Sequence, residues 1–165
     1  MSNRLVFYTD GSSSIISGLC GWSVIARFND REIKACGWAK GTNQFAELYA
    51  VVYILRILPV NIAALIVSDS EYAIKSLTTW RNKWERNGFI GTNGHIITNV
   101  NLVKERHKLL DYGRLVEFRH VRGHTGVAGN ELADKLAKAA RFLGEGRLTK
   151  SQVDGMLIME NGRLL

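Results

Sequence analysis

Apolar and polar positions alternate over Arg4–Asp10, where the run Leu5-Val6-Phe7-Tyr8-Thr9 ends at Asp10-Gly11. A period of two marks a strand with one covered face, and Asp-Gly is turn chemistry, so the pattern predicts a first strand that Asp10 terminates. Gly21–Phe28 and Glu32–Ala39 repeat the strand pattern and are joined through Asn29-Asp30-Arg31, which predicts an antiparallel meander of three strands. From Phe45 the period changes. Leu48, Val51, Val52, Leu55 and Leu58 fall three and four apart, the spacing of a buried helix, and Pro59 stops it. Ile62–Val67 is wholly apolar, as in a strand covered on both faces, and Ser68 or Ser70 is placed to cap a helix through Leu77. Residues 80–95, rich in Trp, Arg, Lys, Gly and Asn, predict an irregular projection.

A helix over Thr98–Asp111, a strand over Leu115–Val121 and a loop containing Gly123, Gly126 and Gly129 follow. Asn130 is placed to cap a last helix through Phe142, with Leu132, Ala133, Leu136, Ala137 and Ala140 as its buried side. Beyond Gly144 the pattern weakens. Thr149-Lys150-Ser151-Gln152 reads as a capping box and Glu160-Asn161-Gly162 as a tight turn. Strands first, then alternating helices and strands, predict one α/β domain over 1–143 with a mixed sheet. Residues 144–165 form a C-terminal tail, loosely attached or folded into a short helix or turn.

Composition narrows the class. The 165 residues suffice for one buried core, and 46% apolar with 22% charged residues is a globular profile. Two cysteines, Cys20 and Cys36, with no C-x-x-C pair exclude a disulfide scaffold and a structural zinc site. Leu48–Val67 has the length of a membrane span but carries Arg56, Pro59 and Asn61, and its halves suit a helix and a strand. A soluble, cytoplasmic protein without membrane contact is the expectation, and composition leaves the oligomeric state open. The 22 basic and 15 acidic residues leave a net charge of +7, whose excess lies beyond residue 70 with Arg81, Lys83 and Arg86 close together. Such a field favours polyanions.

Chemistry enters through acids in covered places. Asp10 and Asp69 follow predicted strands, at the sheet edge where α/β proteins bind ligands. Glu47 lies one turn before Val51, beside the buried stripe, and Asp134 flanks the Leu132–Ala140 face, with Lys138 and Arg141 assigned to its solvent side. Acids near covered surfaces are costly to ionise unless a cation neutralises them. Taken singly, each also suits a cap, a turn or a helix dipole.

The words around these acids are Thr9-Asp10-Gly11-Ser12, Ala46-Glu47-Leu48, Ser68-Asp69-Ser70, Gly123-His124-Thr125-Gly126 and Asn130-Glu131-Leu132-Ala133-Asp134. In order and spacing, over residues 4 to about 143, they resemble the type 1 ribonuclease H family. The resemblance implies a ribonuclease H-like fold, with a five-stranded mixed sheet (strands 1–3 antiparallel, then 4 and 5 parallel) flanked by helices. It implies an endonuclease that hydrolyses the RNA strand of RNA–DNA hybrids, leaving 5′-phosphate and 3′-hydroxyl ends. Asp10, Glu47, Asp69 and Asp134 would hold two Mg²⁺ ions, with Mn²⁺ as substitute, and His124 would assist proton transfer or product release. Gly11 would let backbone approach the metal-bound phosphate, and Gly11, Ser12 and Asn43 would contact substrate.

Trp80, Arg81, Lys83 and Trp84 suit a helix whose tryptophans pack on the body while its charges are solvated, and they also resemble the basic protrusion with which some bacterial members contact the DNA strand. Two departures stand out. Ser13-Ser14-Ile15-Ile16-Ser17-Gly18 replaces a glycine-, asparagine- and proline-rich loop, with Ile16 in place of an asparagine, and Glu71 replaces a neutral amide. Both imply weaker hybrid binding. An idle hybrid-binding module is disfavoured by an intact acidic set facing phosphates. A DNA strand-transfer enzyme is disfavoured by the short chain and by the Gly-His-Thr-Gly loop.

Overall fold

The structure, a computed structural model, describes residues 4–157; the turn expected at Glu160-Asn161-Gly162 lies outside them. Strands β1 (Leu5–Ser13), β2 (Leu19–Phe28) and β3 (Arg31–Lys40) form the antiparallel meander. Helix α1 (Asn43–Ile57) leads to β4 (Ala64–Ser68), which pairs parallel with β1, and α2 (Glu71–Lys75), α3 (Arg81–Arg86) and α4 (Val100–Asp111) follow. Strand β5 (Val116–His120) joins β4 in parallel, and α5 (Ala128–Gly144) and α6 (Lys150–Leu157) close the described chain. The sheet order is β3-β2-β1-β4-β5, the five-stranded mixed sheet that was expected.

The two faces of the sheet are covered by different helices. On one, α1 buries Ala50, Val51, Ile54 and Leu55 against Phe7, Val24, Ala26 and Ile66. On the other, α5 lays Ala133 and Leu136 on Ile25. That approach is close enough that a Cβ on Gly21 would overlap the Ala137 carbonyl oxygen, and Ser23 Oγ donates to the Ala133 carbonyl at 2.6 Å. All of β4 is buried, which is why its sequence shows no alternation. Among the described residues no helix is long and apolar enough to cross a membrane.

Several local expectations change. Strand β1 runs three residues past Asp10, because Asp10–Ser13 keep pairing with Ser23–Cys20. Thr42, not Phe45, starts α1, its Oγ1 accepting from Phe45 N at 3.2 Å. Ser70 caps α2. Helix α5 begins before Asn130, after Val127, and Asn130 is a buried residue inside it rather than its cap. The projection at 80–95 is partly regular, since Arg81–Arg86 is helical. The capping box forms reciprocally, with Thr149 N donating to Gln152 Oε1 (2.8 Å) and Gln152 N to Thr149 Oγ1 (3.2 Å). It starts α6, whose Val153 is buried and whose Met156 and Leu157 pack beside Ile25.

Candidate active site

The register of the central strands assembles the acids. Thr9 of β1 lies beside Ser68 of β4, so the next residues, Asp10 and Asp69, emerge side by side at the carboxyl edge of the parallel pair. Glu47, in the first turns of α1, completes a cluster whose three carboxylates each offer an oxygen within 4.8 Å of the others. Asp10 and Glu47 are buried and Asp69 is half-buried. Gly11 makes this possible: a Cβ there would lie 2.9 Å from Ala46 Cβ and 2.9 Å from Glu47 N. Its amide donates to Asp10 Oδ1 (2.8 Å) and Glu47 Oε1 (3.1 Å). The glycine expected to admit phosphate thus admits the start of α1.

Electrostatics in the cluster is unfavourable without a cation. Burial, and then the charge of Asp69, push the Asp10 carboxyl from 3.8 up to about 7. Burial, then the charges of Asp10 and Asp69, push Glu47 well above the usual carboxylate range. Among the described residues no Lys, Arg or His pairs with any of the three. Glu47 Oε2 is buried with no hydrogen-bond partner. Oxygen-only donors around an orphaned buried carboxylate oxygen fit hard divalent cations.

Asp134 stands apart from this set. It is half-buried on α5 and its Oδ2 accepts from Lys138 Nζ at 2.7 Å, so Lys138 is its partner across one helical turn rather than a bystander on the solvent side. Its charge still contributes to raising Asp10. His124 is exposed on the glycine loop at φ +57° and shares with Ala128, Glu131, Leu132, Asp134 and Lys135 a recess of about 460 Å³.

Sequence reasoning missed one site residue. Asn130 is buried and its Nδ2 donates to Asp69 Oδ2 at 3.3 Å, orienting that carboxylate. The signal was present: Asn130 and Asp134 are four apart, hence on one helix face. Gly123 also stands against Asp69, where a Cβ would lie 2.9 Å from Oδ2.

The expected binding residues are spread more widely. Ser12 is buried and accepts from Arg141 Nε at 3.1 Å, while Asn43 is exposed at the first position of α1. Trp84 is buried among Leu48, Ala73 and Val103, and Trp80 is half-buried with its ring 5.4 Å from that of Trp84. Arg81 is engaged by Glu85 (2.9 Å) and Asp111 (2.5 Å), and Lys83 is exposed. Trp80, Lys83 and Trp84 line a cleft of about 270 Å³ with Ile90, Gly91 and Thr92.

Known proteins resemble this chain over most of its length. The family model described as RNase H matches residues 2–142. A ribonuclease H of Paracidovorax citrulli is 36% identical over 82% of this chain and 92% of its own length. One of Verminephrobacter eiseniae is 35% identical over 91% of this chain and 99% of its own. Among solved structures, a type 1 RNase H with the type 2 active-site motif superposes with a TM-score of 0.71 at 25% identity, covering 90% of this chain and 75% of that one.

Proposed function

The chain belongs to the RNase H family, and from that premise we propose that it hydrolyses the RNA strand of RNA–DNA hybrids, leaving 5′-phosphate and 3′-hydroxyl ends. The observation that carries the reading is the largely buried Asp10–Glu47–Asp69 cluster, which among the described residues has no Lys, Arg or His partner and has an orphaned carboxylate oxygen. A group of acids that costs this much to ionise fits a site that binds metal and phosphate together. Two Mg²⁺ ions held there, or Mn²⁺ in their place, would supply Lewis-acid chemistry for water activation and for charge at the leaving oxygen.

The protein groups then have separate tasks. Asp10, Glu47 and Asp69 would hold the ions; the Gly11 amide fixes the first two carboxylates and Asn130 the third. Asp134 would have to leave Lys138 to serve as a fourth ligand. The His124 imidazole, on a loop that shares a recess with Asp134, accepts or returns a proton as product leaves. The substrate backbone would pass Asn43, exposed at the start of α1, whereas Gly11 and Ser12 of β1 are packed against α1 and Arg141. Further out, Lys83 meets the DNA strand, while Trp80, Trp84 and Arg81 hold the projection that presents it. The protein acts as a monomer in the cytoplasm.

The test is cleavage of a hybrid labelled on its RNA strand, in Mg²⁺, with RNA–RNA and DNA–DNA duplexes as controls and Asp10→Asn alongside. Cutting of the hybrid alone, reduced at least ~10³-fold in the variant, is the expected result. Binding without cutting, in Mn²⁺ as well, would replace the nuclease with a binding module.

A further inference from the structure

Of the three clustered acids, Asp69 alone stands outside regular structure. Asp10 lies within β1, paired with Ser23, and Glu47 lies within α1. The pairing of β4 ends at Ser68, which faces Thr9 on one side and His120 on the other, and α2 begins only at Glu71. A carboxylate in that gap has neither ladder nor helix to fix its direction, so its aim depends on the side chains around it.

Two of those side chains come from opposite ends of the loop that carries His124. At its start, His120, the last residue of β5, places Nε2 3.1 Å from the Asp69 carbonyl oxygen. A carbonyl only accepts, so Nε2 carries the hydrogen and donates it. Among the described residues no backbone amide reaches that carbonyl, which leaves the imidazole as its protein donor. At the far end, Asn130 donates to Asp69 Oδ2 at 3.3 Å, and Gly123, between the two, stands against the same oxygen.

Nothing else in the surroundings employs His120. It is exposed and belongs to none of the apolar clusters, so it does not pack the core. Glu71, one of the two departures from the family pattern, is held by Lys75 at 2.7 Å. The one histidine in an ion pair among the described residues is His107, so no carboxylate draws His120 away from Asp69.

We propose that His120 is a positioning residue: its hydrogen bond to the Asp69 carbonyl fixes the Asp69 peptide, and with it the direction in which the carboxylate meets a divalent cation. The proposal rests on the metal-dependent reading above and adds a residue that touches neither cation nor substrate. Because His120 and Asn130 bracket the His124 loop, the same two contacts hold loop and carboxylate in one arrangement.

The test measures Mn²⁺ binding to the full chain by calorimetry, without nucleic acid, for the parent, His120→Phe and His120→Gln. Phenylalanine keeps a ring and loses the donor, whereas glutamine places an amide N–H near the position of Nε2. Expected is an affinity about tenfold weaker in His120→Phe, as when a group that orients a metal ligand is removed, with most of it recovered in His120→Gln. Half-maximal cleavage should likewise need about tenfold more Mg²⁺ in His120→Phe, while KM for hybrid at saturating Mg²⁺ stays at the parent value. The side chain is exposed, so without metal both variants are expected to melt as the parent does. Parent-like Mn²⁺ affinity in His120→Phe would overturn the proposal, as would equal losses in the two variants, which would make the role one of shape. A parent that binds Mn²⁺ but cuts no hybrid would sink the nuclease reading, and the ratio of the affinities would still decide His120. A parent without measurable Mn²⁺ binding would overturn both.

Discussion

Asp10 sits inside a strand, buried, next to two other acids, and its raised carboxyl ties the site to the stability of the protein. A folded-state pKa of about 7 against 3.8 means that the folded protein holds a proton which the unfolded chain releases earlier. The associated stability is complete below about pH 4 and is lost as pH rises through about 7. Without divalent metal, melting temperature is therefore expected to fall between these limits. Asp10→Asn should remove the Asp10 share of that slope, leaving the share of Glu47, and melt at least ~4 °C above the parent at pH 8; parallel curves of melting temperature against pH in EDTA would refute this origin. Lys138 supplies a second test. Its pair with Asp134 is largely solvent-exposed on the lysine side, so Lys138→Ala should change stability by less than ~0.5 kcal/mol. If Asp134 has to leave Lys138 to bind metal, the same variant should reach half-maximal activity at a severalfold lower Mg²⁺ concentration. An unchanged Mg²⁺ titration would place Asp134 outside the metal set.

At the scale of elements, the stretch from α2 to α4 is where the sequence pattern and the structure differ most. Trp80, Arg81, Lys83 and Trp84 look alike as one basic and aromatic face, yet they divide between inside and outside. Trp84 closes a small core with Leu48, Ala73 and Val103, beneath the fully buried Arg106, whose guanidinium donates to the Ala73 carbonyl and to Ser76 Oγ. Burial holds that guanidinium down at about 9. Trp84→Ala should therefore cost ~3–5 kcal/mol of stability, as deletions of large core side chains do. Lys83→Ala should leave melting unchanged and weaken hybrid binding mildly, with a salt slope smaller by about one. Equal effects of the two on stability would mean that the projection packs differently. Single-sequence patterning does not separate these residues, because the partners that bury Trp84 come from three other elements.

Across the whole molecule, the site depends on how closely two helices approach one sheet. Gly11 and Gly21 are the contact points, the first for the start of α1 and the second for the middle of α5. Gly21→Ala would drive a methyl group into the Ala137 carbonyl, and backbone has little room to yield. A loss of ~3 kcal/mol or more, seen as a lower denaturant midpoint, is expected; a wild-type midpoint would show that α5 is free to shift. The hydrophobic periods determined the order of elements, and the resemblance carried by five motifs marked Asp10, Glu47, Asp69 and Asp134 as a set, of which the structure brings the first three together, because burial patterns and motif spacing are properties of contiguous residues. Thr149 and Gln152 were equally legible, since a capping box is local. The extension of β1 past Asp10, the burial of Asn130 against Asp69, the pairing of Asp134 with Lys138 and the inward turn of Trp84 were decided only by tertiary structure. Each depends on a side-chain direction or a cross-strand register, and those are fixed by which distant residues compete for the same space.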